Sequence, residues 1–248
     1  YGVPMLVTAA TNIYNTHQDN FKWRLSYDFT PSIKASYTLG MWQNSQTSTF
    51  NNYLPNASGT YALGATGAGL TPVSINQTTT PLTLGDINQT TFSHGMALRQ
   101  DTGGKFDWEL TGSVVDLSDD NSRVSTVSNA QLAAGTLTGR NTVLTGSNWN
   151  NIDAKGIWRP GNFYGNHEVS FGYHIDNYQL VNPVYTLSNW QSGSPTGIYS
   201  NSQGNTQTQG YWAQDSWDFA KDWNASFGGR LESWDATGGQ NSALVNSV

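Results

Sequence analysis

The chain has 248 residues, a net charge of −6 and no cysteine, and 11% of its residues are charged while 12% are aromatic. Ordinary soluble domains have roughly 25% charged residues, and the lack of cysteine excludes a disulfide framework and a cysteine-based metal site. The acidic balance argues against nucleic-acid binding, and the lack of any apolar run of about 18 residues excludes a membrane-spanning helix.

The first predicted hairpin lies near the N-terminus. Apolar and polar residues alternate over residues 21–29 and again over residues 33–41. Pro31 lies between the two runs and favours a tight turn. Alternation with a period of two predicts two strands, each with one apolar and one polar face.

Three more hairpins repeat this pattern, with their arms at 92–98 and 106–114, 152–158 and 169–175, and about 206–219 and 223–231. In these strands the Lys, Arg, Asp and Glu residues lie opposite the aromatic residues, except in the strand that starts near Thr206. There Asp215 falls on the same face as Trp217. A charge that faces lipid costs roughly 2–4 kcal/mol for Lys or Arg and less for Asp. We therefore expect Asp215 either near a membrane interface or at a bulge.

The predicted connections fall into two length classes. Short turns join the arms of each hairpin at residues 30–32, 101–104, 160–166 and 220–222, and long connections join successive hairpins at roughly 43–88, 118–147 and 179–205. Bacterial outer-membrane barrels have short periplasmic turns and long extracellular loops. Aromatic residues that cluster beside the short turns are typical of an interfacial girdle, and here they are Phe29, Phe106, Trp108, Trp158, Trp217, Phe219 and Trp223. The sequence therefore predicts an all-β, antiparallel transmembrane barrel segment of about eight strands.

Residues 204–232 resemble the barrel of TonB-dependent receptors. That family has an aromatic-x-Gln-Asp-x-Trp strand, a short turn and a Gly-Gly-Arg-aromatic-Glu return. The matching residues here are Gln214, Asp215, Trp217, Gly228, Gly229, Arg230 and Glu232. Leu231 replaces the aromatic residue of the return strand. The resemblance covers most of the chain and is strongest from about residue 149 to residue 235.

The resemblance implies a barrel of about 22 strands that is plugged by an N-terminal domain. It also implies a place in the outer membrane of a Gram-negative bacterium and the import of ferric siderophores, or a similar scarce nutrient, with energy relayed by TonB. Residues 1–248 then form a partial barrel domain without its plug, truncated at both ends. The implied partners are outer-membrane lipid, the TonB complex through the missing plug, and a siderophore or other small-molecule ligand. No nucleic acid and no cofactor are expected.

The sequence predicts no catalytic or metal site. Ser170, His174 and Asp176 share a strand face, but residues four apart on a strand lie roughly 13 Å from each other, too far for a catalytic triad. The four histidines do not have the spacing of metal ligands. The protein is therefore predicted not to be an enzyme.

Charged residues on the polar face are the predicted contacts of the barrel lumen. They would contact a plug, or pair with each other in a ladder, and they are Lys22, Arg24, Lys105, Glu109, Arg230 and Glu232. Aromatic residues in or near the predicted outer loops are candidates for ligand contact, although packing within the loops is the commoner role; they are Trp42, Tyr53, Trp149, Trp190 and Tyr199. Two other classes stay open: a passive porin without a plug, and a soluble β-rich adhesin or carbohydrate-binding protein.

Overall fold

The computed structural model describes residues 9–52, 60–62, 74–76, 84–127, 135–161 and 164–243. Within these ranges the chain is all-β. The strands are β1 Ala9–Thr30, β2 Ile33–Asn52, β3 Thr60–Ala62, β4 Ser74–Asn76, β5 Gly85–Gln100, β6 Phe106–Ser125, β7 Gly139–Val143, β8 Asn148–Trp158, β9 Asn166–Leu187, β10 Pro195–Ala220 and β11 Trp223–Ala243.

One antiparallel sheet contains nine of these strands, and β3 and β4 form a separate two-stranded hairpin. The strands of the large sheet follow the order of the chain, β1-β2-β5-β6-β7-β9-β10-β11, and β8 pairs with β6 and β9. Since β7 and β8 pair with different parts of the same two strands, they form one interrupted strand. The nine strands therefore fill eight positions, which confirms the predicted fold class.

Short turns close one end of the sheet, which we call the turn end; the opposite end is the loop end. The turns lie between Thr30 and Ile33, Gln100 and Phe106, Trp158 and Asn166, and Ala220 and Trp223. Asp222 has a φ of 65°, a left-handed conformation that Asp adopts more readily than most residues and that is common in two-residue hairpin turns. The short turns occur where the sequence predicts them.

The predicted bounds of the long connections are wrong, because the strands continue into them. β2 extends to Asn52, β6 to Ser125 and β9 to Leu187, and β10 begins at Pro195 rather than near Thr206. Towards the loop end both faces of β2 and β6 are mostly polar, so the alternation that marks a strand in the sequence disappears. In β9 the alternation is lost because apolar residues fall on both faces, as Leu180 and Val181 do. The ladder itself is made by backbone groups, and it continues without an apolar face.

The described residues contain little conventional core. The buried hydrophobic residues among them are Leu84, Val127, Leu187 and Trp190, and three of these pack together at the loop end with Leu137. Arg123 stabilises the connection between β9 and β10 there, because its guanidinium donates to the backbone oxygens of Trp190 and Gly193. The large apolar residues of the strands lie instead on an uncovered face of the sheet.

Candidate functional site

The apolar face of the sheet is continuous and open. Large side chains on it are 40% to 80% exposed, and they include Trp23, Tyr27, Met96, Leu110, Phe171, Tyr211 and Leu231. The small residues Ala35 and Gly112 leave a groove of about 500 Å³ between their larger neighbours. An exposed apolar surface that extends over many strands marks contact with a protein or a membrane.

Aromatic residues of the apolar face form contacts at the turn end. Trp217 and Phe219 have ring centroids 5.2 Å apart, and Phe219 and Trp223 have centroids 6.2 Å apart. Phe106 and Trp158 lie at the same end, on β6 and β8, and are about half exposed. This placement is the one that an interfacial aromatic girdle requires.

The polar face carries a row of charged residues that crosses five strands. Strand register places Asp28, Lys34, Arg99, Glu109 and Lys155 side by side. Lys34 Nζ lies 3.1 Å from Asp28 Oδ1, and Glu109 lies between two cationic neighbours. Opposite charges on directly facing residues stabilise a sheet modestly.

The six predicted lumen residues do not form one cluster. Lys22 and Arg24 lie on the polar face of β1, and Glu109 belongs to the charged row. Arg230 Nε donates to Glu232 Oε2 at 3.0 Å within β11. Lys105 lies in the turn directly before β6, which begins at Phe106.

His174 joins two carboxylates on the polar face. Its Nδ1 lies 2.6 Å from Asp153 Oδ1 and its Nε2 lies 2.6 Å from Asp176 Oδ2. Trp149 Nε1 donates to the other oxygen of Asp176 at 3.2 Å. Ser170 is not part of this group, since its register neighbours are Ile157 and Gln214. The group has no nucleophile among these contacts, and Asp153 could not be associated with His174 from the sequence because it lies on another strand.

Asp215 lies on the apolar face. The register between β10 and β11 is continuous on both sides of Asp215, so the predicted bulge is wrong and the alternative, a position near an interface, agrees with the neighbouring Trp217. Asp215 Oδ2 lies 2.8 Å from His167 Nδ1, and the His167 ring stacks on Trp217 with centroids 5.4 Å apart. Trp217 Nε1 in turn donates to the backbone oxygen of Tyr164 at 2.8 Å. The motif residues Asp215 and Trp217 therefore connect β9, β10 and the turn before β9.

A second polar network ties two turns together at the turn end. Arg159 Nη1 lies 2.6 Å from Asp107 Oδ2, and Arg159 Nε lies 2.8 Å from Glu168 Oε2. The backbone N–H and the hydroxyl of Thr102 both donate to Asp107 Oδ1, at 2.6 and 2.7 Å.

Hydrogen bonds within this network change the acidity of its members. Asp107 lies beside the turn on the polar face, outside the part of the sheet that would face lipid. Hydrogen bonds from Thr102 and then from Arg159 lower the pKa of Asp107 to about 2. Hydrogen bonds to Asp107 and Glu168 raise the pKa of Arg159. Both groups are therefore charged over the whole neutral range.

The predicted loop aromatics have different surroundings. Trp190 is only 4% exposed and packs in the small core at the loop end. The Arg140 guanidinium lies 3.5 Å above the Tyr199 ring. Trp149 is 53% exposed, Trp42 lies within β2, and Tyr53 is outside the described residues.

Among the described residues there is no group of three or more His, Cys, Asp or Glu side chains arranged to hold a metal ion. In the same part of the chain we find no helix that is long and apolar enough to cross a membrane.

The two faces and the order of the strands define a segment of a β-barrel wall. No protein-family model matches the chain. No curated protein sequence matches it either.

Two solved structures have a similar fold. The chain superposes on P. aeruginosa FpvA bound to iron and a heterologous pyoverdine with a TM-score of 0.63 and 12% identity, over 94% of this chain and 32% of that one. For the complex of FpvAI with pyocin S2 the TM-score is 0.62 and the identity 12%, over 94% and 33% of the two chains. FpvA is a TonB-dependent siderophore receptor. The chain therefore has the fold of part of the FpvA structures, and it spans about a third of the length of the two chains.

Proposed function

We propose that the chain is part of the wall of an outer-membrane receptor that imports ferric siderophores, or a similar scarce nutrient, with energy relayed by TonB. The observation that carries this proposal is the eight-position antiparallel sheet with one open apolar face and one polar face. The similarity of its fold to FpvA supports the same function. The proposed role is transport rather than catalysis.

The apolar face suits contact with lipid. Barrel strands satisfy their backbone hydrogen bonds with each other and expose only side chains to the bilayer. The described edge strands, β1 and β11, each pair on one side only, and an unpaired edge is not stable in lipid. We infer that further strands complete a closed barrel of about 22 strands.

The polar face suits the lumen of a plugged barrel. The charged row from Asp28 to Lys155 and the pair of Arg230 and Glu232 offer both signs of charge. A plug domain would be held there by complementary charges, and it would also carry the contact with TonB. Lys22 and Arg24 are further contacts of the same kind.

Uptake of iron tests the proposal directly. Cells with and without the gene are supplied with radioactive iron bound to a panel of siderophores that begins with pyoverdine. We expect uptake of at least one ferric siderophore that requires both the gene and TonB. Uptake that requires the gene but persists without TonB would show a passive channel instead. A protein that purifies fully without detergent would support the soluble adhesin or carbohydrate-binding alternative.

A further inference from the structure

Carboxamide side chains form a band directly beyond the apolar residues, towards the loop end. Alternation places Asn150 and Asn148 on the same face of β8 as Ile152, and it places Asn177 on the same face of β9 as Ile175. The band covers β8, β9 and β10, and it consists of Asn148, Asn150, Asn177, Gln179, Asn205, Gln207 and Gln209. We call these residues the amide band.

Hydrogen bonds run through the amide band in a single direction. The Tyr173 hydroxyl, on the apolar face of β9, donates to Gln209 Oε1 at 3.0 Å, and Gln209 Nε2 donates to Gln207 Oε1. Gln207 Nε2 then donates to Asn177 Oδ1 at 2.7 Å, and Asn177 Nδ2 donates to Asn150 Oδ1 at 2.9 Å. The chain of bonds fixes the orientation of these amide groups.

The same bonds leave hydrogen-bonding capacity unused in the amide band. A carboxamide has two N–H donors and two acceptor lone pairs. The bonds described above use one donor and one lone pair on each of Asn177, Gln207 and Gln209. Each of these side chains can therefore present one donor beside one acceptor to a bound molecule. A hydroxyl group both donates and accepts, whereas an ionised phosphate only accepts and an ammonium only donates.

The charge of the band disfavours an anionic occupant. No Lys or Arg belongs to the amide band, and Asp235 lies directly beside Gln207 in the strand register. The band also borders a groove of about 300 Å³, lined by Asn150, Asn177, Gln207 and Asp235 among others. That volume is at the lower end of the range for small-molecule sites. Its chemistry suits an uncharged group with many hydroxyls, which is a sugar.

We propose that the amide band binds the neutral sugar headgroup of a glycolipid whose acyl chains lie along the apolar face below it. This inference rests on the proposed function, because it requires the apolar face to be in a membrane. The band and the apolar residues are continuous on one face of the same strands, and on β10 this face passes from Tyr211 through Gln209 to Gln207. A molecule with both an apolar and a hydroxylated part contacts both surfaces, whereas a free sugar contacts only one.

Native mass spectrometry of the full-length, detergent-purified protein tests this proposal. The probes are digalactosyl diacylglycerol, phosphatidylglycerol with the same acyl chains, and free digalactose. We expect the glycolipid to bind about tenfold more tightly than the phospholipid, the ratio that one or two hydrogen bonds provide. Free digalactose is expected to bind much more weakly than either lipid.

Variants of the band locate the site. N177L with Q207L should remove the preference for the glycolipid, and the nearly isosteric N177D should weaken it because that side chain loses its donors. The control is Q43L, which changes an exposed amide on the same face of β2, outside the band. Circular dichroism verifies that each variant is folded. If the double variant is not folded, the lipid preference of N177D alone decides the test.

The outcomes separate the two proposals. Equal binding of the two lipids, or a preference that survives in N177D, would overturn the sugar site while leaving the receptor function intact. Digalactose that binds as tightly as the glycolipid would overturn it too, and would show a site for soluble sugars. A protein that is soluble without detergent and binds neither lipid would overturn the proposed function as well.

Discussion

At the scale of single residues, a hydrogen-bonded pair formed by His167 and Asp215 lies on the apolar face. Their side chains are 18% and 32% exposed, and Trp217 covers the imidazole. Removing one member of a poorly hydrated pair leaves the other polar group without its partner, which destabilises the fold. Replacing both members with apolar groups avoids this loss of stability. The effects of mutating the two residues should therefore be strongly non-additive.

A double-mutant cycle measures this coupling. We expect D215L and H167F each to lower the free energy of unfolding by about 1–3 kcal/mol, and the double variant to be close to wild type. Urea-induced unfolding from lipid vesicles provides the free energies. A double variant that loses the sum of the two single effects would show that the two side chains act independently.

Asp107 gives a prediction about pH. Its pKa in the folded protein is about 2, below the ordinary value of 3.8. A carboxyl whose pKa is lowered by folding stabilises the fold above its unfolded pKa, and this contribution is lost as the pH falls through the folded pKa. We expect the free energy of unfolding to fall between about pH 4 and pH 2, and to fall less steeply in D107N.

The control for this measurement is D101N, which changes an exposed carboxyl of the same turn. Its profile should follow the wild type. If D107N has the same pH profile as the wild type, Asp107 is not the group responsible for the loss of stability in acid.

Residue pairs of this kind were the hardest part to predict from the sequence. The alternation of Phe21 to Phe29 shows which side chains share a face, but it does not show which residue of the next strand lies opposite. Asp153 and His174 are 21 residues apart, and His167 and Asp215 are 48 apart. Both contacts depend on strand register, which a single strand does not reveal.

At the scale of strands, close contact across the sheet depends on glycine at particular positions. A Cβ atom at Gly172 would lie 2.5 Å from the Ala154 oxygen and 2.7 Å from Trp212 Nε1. A Cβ at Gly229 would have no neighbour within 4 Å. The indole of Trp212 therefore lies over Gly172, and β8, β9 and β10 are held together at this point.

The two glycines form a matched pair for mutation. We expect G172A to lower the free energy of unfolding by about 1–3 kcal/mol, the usual effect of overpacking. G229A should leave it unchanged or slightly higher, because alanine reduces the freedom of the unfolded chain without a clash. Unfolding from vesicles measures both, and an equal effect of the two changes would contradict the role of the contact.

The positions of the strands were predictable only where one face is apolar. Residues 33–41 alternate because one face is apolar, and they form part of β2. The extension of β2 to Asn52 consists mostly of Gln, Asn, Ser and Thr on both faces, so little in its sequence distinguishes a strand from a polar loop. The backbone ladder that holds it is independent of side-chain polarity.

At the scale of the whole molecule, an added charge should affect stability differently on the two faces of the sheet. Leu110 lies on the apolar face and is 44% exposed, whereas the next residue, Thr111, lies on the polar face beside Asp153. An arginine near the bilayer midplane costs roughly 2–4 kcal/mol. A lumen arginine remains hydrated and can pair with Asp153.

We expect L110R to lower the free energy of unfolding in vesicles by about 2–4 kcal/mol, and T111R to change it by less than about 1 kcal/mol. Because the two sites are adjacent in the chain, the comparison separates the effect of the face from the effect of the position along the strand. If L110R were harmless and T111R destabilising, the apolar face would not be the one that contacts lipid.

The long polar extensions of the strands also determine where the chain can accept new sequence. An inserted residue within the apolar part of a strand would turn every later side chain to the opposite face. In residues 195–202 of β10, by contrast, both faces are largely polar. A change of register there therefore exposes few additional apolar side chains to water. In the proposed receptor, the exposed end of this extension is therefore a suitable place to display a peptide epitope on the outside of a living cell.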